Sequence, residues 1–246
     1  MGYGRALDQK RRHIDYPAAV ALPWQTLASV PTAEGQLELR RRGEKDFLIL
    51  IDKRVLMTSS AHRSEVALAE LACAGLRKVK RAHVLVSGLG MGFTLRAALD
   101  KLADDAEVTV AELNPVVVEW CQGPLAPLIA NAARDPRVTM HIGDVTAFIA
   151  NVARRKDARK LDAIVLDLFE GPQTRIKPND PLYGPGAVQM ANAALAPGGV
   201  FAVWGEAHSP GFERSLRAAG FTFELHRPER GGLRHCMYIA RSARAR

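Results

Sequence analysis

The chain has 246 residues, 48% of them hydrophobic and 24% charged, with a formal net charge of +8. That length buries a sizeable core without covalent staples and suits one α/β domain with a small appendage, or a single large domain. No segment reaches the roughly 18–20 apolar residues of a membrane helix, and Cys73, Cys121 and Cys236 are too few and too scattered for a disulfide framework or a zinc site. HExxH is absent, so no metal is expected.

The opening segment carries a basic patch at Lys10, Arg11, Arg12 and His13, and the apolar run after it is broken by Pro17 and Pro23. A secretory signal needs that run unbroken, so none is expected, and the sparse cysteines fit a reducing, cytoplasmic compartment. From about Trp24 to Met57 the pattern is of short strands: LELR alternates, FLILID is apolar and rich in β-formers, and Asp52-Lys53 supplies a turn. From about Ala61 to Leu76 the apolar spacing is helical. Residues 1–60 therefore divide off as a tail with a small β-hairpin region, and 61–246 as the main domain.

Strands and helices then alternate. HVLVSG, EVTVAEL, RVTMHIG, LDAIVLDL and GVFAVWGE read as strands. Helices are predicted over Phe93–Leu102, Pro115 to about Ala130, Val145–Ala153, Ala187–Leu195 and Phe212–Ala219, with FTFELH and LRHCMYIA as closing strands. Such alternation predicts a Rossmann-like α/β fold with a mostly parallel sheet and helices on both faces. Ligands of such sheets bind at the carboxyl ends of the strands.

The chemistry-bearing residues fall at those ends. Gly88, Gly90 and Gly92 follow the first strand, where glycine lets the backbone approach a ligand as a helix starts. The dinucleotide fingerprint would place its third glycine at Phe93, so the pattern is GxGxG; the same turn can also be a tight connection that binds nothing. Glu112 ends the second strand, 20 positions after Gly92, where a carboxylate can accept hydrogen bonds from two ribose hydroxyls or sit at the surface. Asp144 ends the third; it can cap the next helix, accept from an adenine amino group, or do both. Asp167 and Glu170 end the fourth, where a buried carboxylate near a sulfonium can hold an amine and take its proton.

Gly88–Gly92, Glu112, Asp144 and Asp167–Pro172 together resemble the spermidine synthase family in order and spacing, over about Leu48 to Ala240. LILIDKRVLMTSSAHRSEVALAELA is similar to that family's N-terminal hairpin and first helix, and Gly205-Glu206 to a common Gly-Glu pair. The resemblance implies a methyltransferase-type fold with a seven-stranded sheet, and S-adenosylmethionine or its decarboxylated form as co-substrate. It further implies a small-molecule amine acceptor and a homodimer. By resemblance, Gly88 and Gly90 line the nucleoside, Glu112 holds the ribose, Asp144 the adenine, and Asp167 is the amine-facing base. Three positions depart from the family: Met91 and Glu170 each stand where an Asp is usual, and Ser64 replaces the His or Gln before Glu65. The loop from Glu170 to Gly186 is long, carries Arg175, Lys177 and Tyr183, and has the makings of a lid; Glu206 would face it.

Three functions follow as expectations: an aminopropyl-type transferase, an S-adenosylmethionine-dependent methyltransferase, or a non-catalytic adenosyl-nucleoside-binding protein. The charge distribution argues against nucleic acid. His83 to Gly205 carries slightly more Asp and Glu than Lys and Arg, so the basic excess sits on the flanks as solvated surface.

Overall fold

The alternating N-terminal segments pair as antiparallel strands β1 (Gln25–Thr32), β2 (Gly35–Arg42), β3 (Asp46–Ile51) and β4 (Arg54–Thr58), forming a four-stranded sheet in chain order. The expected hairpin region is thus twice a hairpin. Asp52 and Lys53 form the two-residue turn between β3 and β4, both with positive φ (45° and 68°), the backbone of a type I′ turn. These assignments come from a computed structural model that describes residues 22–227 and 235–243. The basic patch at Lys10–His13 and the broken apolar run that follows it, through Pro17, lie outside the described residues, as does the start of the last predicted strand.

Helix α1 (Arg63–Ala72) leads into the second sheet. There β5 (His83–Ser87), α2 (Phe93–Lys101), β6 (Glu107–Glu112), α3 (Pro115–Gln122), β7 (Val138–Ile142), α4 (Val145–Arg154), β8 (Leu161–Leu166), α5 (Pro185–Ala194) and β9 (Leu195–Gly205) alternate. Helix α6 (Pro210–Ala218) and strands β10 (Thr222–His226) and β11 (Cys236–Arg241) close the chain. The spatial order is β10-β11-β9-β8-β5-β6-β7, parallel from β9 through β7, with β11 running antiparallel between β9 and β10. This is the expected seven-stranded, mostly parallel sheet.

The period of two along each strand creates two cores. Val84 and Val86 of β5 and Ala163 and Val165 of β8 face one apolar cluster with α1, α2 and α3. Leu85, Ile164 and Leu166 face the other, with α4, α5 and α6. All of these residues are buried, which is why the strands read as unbroken apolar runs. Leu37, Leu39, Phe47 and Ile49 of the small sheet belong to the first cluster, so both sheets share one core.

The structure shortens two predicted helices: the first, expected from about Ala61 to Leu76, spans Arg63–Ala72. α3 ends at Gln122 rather than near Ala130, because Gly123-Pro124 follows. Proline has no N–H to donate and disfavours helical geometry in the residue before it. Residues 126–129 and 132–134 continue as single tight turns.

Candidate active site

The carboxyl ends of β5, β6, β7 and β8 are laced by backbone hydrogen bonds that extend the sheet by one residue. Gly88 N–H donates to Ala111 C=O (3.0 Å), Gly143 N–H to Glu112 C=O (2.9 Å) and Asp167 N–H to Ser87 C=O (2.9 Å). Gly88, Glu112, Gly143 and Asp167 therefore stand along one sheet edge. Between β5 and β8 the strand order reverses, which is where ligands of such sheets bind.

The glycine turn is shaped by close approach. Gly88 has φ +84°, and a Cβ on it would lie 2.2 Å from the Asp167 carbonyl oxygen. Only glycine lets β5 and β8 meet there. Gly90 sits in the following turn, and Gly92 is the residue from which α2 starts. Where a dinucleotide fold would carry a third glycine, Phe93 is buried and stacks on His62 at 4.1 Å between centroids, closing the gap between α2 and the approach to α1.

Glu112 is 8% exposed. One carboxylate oxygen accepts from the Leu89 amide of the glycine turn (2.9 Å) and the other from the Asn114 amide (2.9 Å). Burial pushes its pKa up in spite of both bonds. Each oxygen retains a second lone pair, so the pair of acceptors a ribose diol needs is present and held in place. Leu113 and Ile142, 51% and 47% exposed, are apolar side chains at the ends of β6 and β7. The glycine cradle, the diol-sized pair of acceptors and these apolar flanks fit an adenosyl nucleoside. Asn114 also donates to Glu34 at the β1–β2 turn (2.9 Å), which joins the small sheet to this rim.

Asp144 is exposed and accepts from Thr146 N–H at 2.7 Å, the helix cap expected of it. Asp167 keeps some exposure as a residue, yet its carboxyl lies among protein atoms, and burial pushes its pKa from 3.8 up to about 7. The Thr94 hydroxyl donates to this carboxyl and opposes the shift, while the charge of Glu65 adds to it. Glu65 in turn accepts from the Ser64 hydroxyl (2.7 Å). The site thus holds two acids that influence each other and, among the described residues, neither has an ion-pair partner.

Three expectations change, those for Glu170, Tyr183 and the lid. Glu170 does not share the interior with Asp167: its side chain is 62% exposed and pairs with Arg54 (3.6 Å). Tyr183 lines no open surface. Its ring is buried edge-on to Phe212, and its hydroxyl donates to the Glu170 carbonyl (3.2 Å), so it anchors the loop from within. Met91 is fully buried in the first core and presents nothing to the cleft. Arg175, Lys177 and Glu206 are exposed, but the loop that carries the first two is fastened along its length. Ser209 donates to Gln173 C=O (2.6 Å), and a Cβ on Gly171 would meet the Gly205 Cα at 2.5 Å.

Two surface hollows of comparable size lie elsewhere. One of about 370 Å³, lined by His83, Asp104, Glu107 and Arg137, opens at the amino ends of the strands, away from the acids. One of about 360 Å³ lies between α4, α5 and the loop at Pro178–Leu182. Among the described residues no group of three or more His, Cys, Asp and Glu is placed to hold a metal. No helix there is long and apolar enough to cross a membrane.

Thr94, Glu34 and Arg54 carry no signal in the sequence pattern. Only contacts between distant segments bring them to this edge: Thr94 to Asp167, Glu34 to Asn114 after β6, and Arg54 to the loop after β8.

The spermine/spermidine synthase domain matches residues 68–215, from α1 into α6 and across every strand end just described. The chain belongs to this family. Spermidine synthase 1 of Hyoscyamus niger is 32% identical over 123 residues, 50% of this chain and 36% of that one. Putrescine N-methyltransferase 2 of Nicotiana attenuata is 32% identical over 117 residues, 48% of this chain and 29% of that one. The match thus spans about a third of the length of these relatives. The spermidine synthase of Thermotoga maritima superposes with a TM-score of 0.64 at 17% identity, over 89% of this chain and 73% of that one, and shares its fold.

Proposed function

We propose that this chain transfers an alkyl group, of the aminopropyl type, from an S-adenosylmethionine-derived sulfonium to a small amine. The carrying observation is the pairing of a nucleoside cradle with a buried acid. Gly88 and Glu112 stand together at the β5–β6 edge, where they would hold an adenosyl group, and Asp167 lies against Gly88, its carboxyl poised near neutrality. A sulfonium makes its attached carbons electrophilic, so the protein needs only to orient the acceptor and remove a proton. Glu112 orients the ribose, and Gly90 and Gly92 bring the turn's backbone to the ligand. Asp144 stands where an adenine amino group would reach it. Asp167, held by Thr94, takes the proton; the acidity of Glu65 beside it favours a cationic amine. The names of the relatives support a transferase acting on amines: they include spermidine synthases and putrescine N-methyltransferases.

The second reading is methyl transfer from ordinary S-adenosylmethionine. Met91 brings no carboxylate to the glycine turn, which removes one charge that would repel the methionine carboxylate. One experiment separates the readings. Purified protein is first titrated with methylthioadenosine by calorimetry, then incubated with either donor and a panel of amines, with products read by mass. Aminopropylated product from the decarboxylated donor supports the first reading. Methylated product supports the second. Tight nucleoside binding without turnover leaves a non-catalytic nucleoside-binding protein. The reading includes a cytoplasmic homodimer; three buried free thiols fit a reducing compartment, and sedimentation tests the dimer.

A further inference from the structure

We propose that Arg54 determines acceptor specificity: it is a built-in cation that neutralises Glu170 at the outer end of the site and so favours acceptors with one ammonium over diamines. The inference rests on the amine-acceptor reading above. Two consecutive residues after β8 hold the one side chain. The Arg54 guanidinium lies 4.5 Å from the Phe169 ring centroid and 3.6 Å from the Glu170 carboxylate. Asp167 and Glu65, deeper in, have no such partner among the described residues. Among the described residues the inner acid after β8, Asp167, is therefore without a cation, and the outer one, Glu170, already has one.

Arg54 is also well placed to stay there. It is the first residue of β4, directly after the Asp52-Lys53 turn, and Asp52 is tied to Gln36 by its own amide (3.0 Å) and by its carboxylate (2.9 Å). The loop is fixed from the other side, through Tyr183 and the Gly171–Gly205 approach. A second ammonium reaching Glu170 meets a guanidinium held by both elements, and like charges repel. A single ammonium at Asp167 does not.

The test uses the full chain saturated with methylthioadenosine and two probes, 1,4-diaminobutane and butan-1-amine, titrated by calorimetry. Wild type is expected to bind butan-1-amine at least as tightly as the diamine. Arg54→Gln is expected to tighten the diamine about three- to fivefold, the factor an exposed charge pair commands, and to leave butan-1-amine unchanged. Arg54→Lys keeps the charge and should keep the wild-type ratio, whereas Glu170→Gln, which leaves Arg54 uncompensated, should weaken the diamine selectively. An unchanged ratio in Arg54→Gln overturns the proposal, as does a wild type that binds the diamine more tightly than butan-1-amine. Methylthioadenosine binding with neither amine bound removes the acceptor reading and this inference together. Failure to bind methylthioadenosine removes the nucleoside reading itself.

Discussion

Burying the Asp167 carboxyl beside Glu65 raises its pKa from 3.8 to about 7, so ionising it in the folded protein is unfavourable near neutral pH. The folded value lies above the unfolded one. The stability linked to it is therefore fully present below about pH 4 and lost as pH rises through about 7, with a ceiling of about 4 kcal/mol. Asparagine in its place cannot ionise and can still accept from Thr94. Asp167→Asn is expected to be more stable than wild type at pH 8 and to converge with it near pH 4, as urea denaturation will read. The same variant should lose at least a hundredfold in turnover, and wild-type kcat/KM should rise with pH through about 7. Full activity in Asp167→Asn would leave Asp167 a structural acid. Glu112 poses a different problem, since both its oxygens already hold backbone amides. Glu112→Gln points an N–H₂ at one of them. We expect at least tenfold weaker methylthioadenosine binding, each charge-assisted bond being worth about 1.5–3 kcal/mol, together with a lower Tm. Calorimetry and a thermal melt check the two halves separately.

The elements whose limits were readable in the sequence are those whose pattern is local. The strands β5, β6 and β8 are apolar runs ended by Gly88, Glu112 and Asp167, and the chain order of acid and glycine placed the cleft at their carboxyl ends. What the pattern could not convey is contact between distant segments. Tyr183 looks like a lid residue in a proline-rich loop, but it is drawn inward by Phe212 and Glu170. Met91, which stands where the family usually carries an Asp, faces the core. Arg54 reaches Glu170 across more than a hundred residues of chain, a pairing that no periodicity encodes. The β5–β8 junction is the tightest of these meetings. Gly88→Ala places a methyl 2.2 Å from the Asp167 carbonyl at a φ that alanine resists. Its expected effect is a loss of several kcal/mol of stability, of the size such backbone strain and overpacking produce together, measured as a fall in the urea midpoint.

Across the whole molecule the three thiols are buried, and burial pushes Cys73 and Cys121 up to about 12 and Cys236 in the same direction. The thiolate is the reactive form, so native protein should resist iodoacetamide at pH 8 and take three labels only after unfolding, as intact mass will show. Rapid labelling of the native chain would mean that one of these cores opens. The nucleoside cradle belongs entirely to the large sheet, whereas Arg54 comes from a hairpin on the small one. On the proposed function, a substitution at Arg54 alters the acceptor end without touching a residue of the cradle, so variants of this one hairpin position would differ in the amine they accept while sharing one donor.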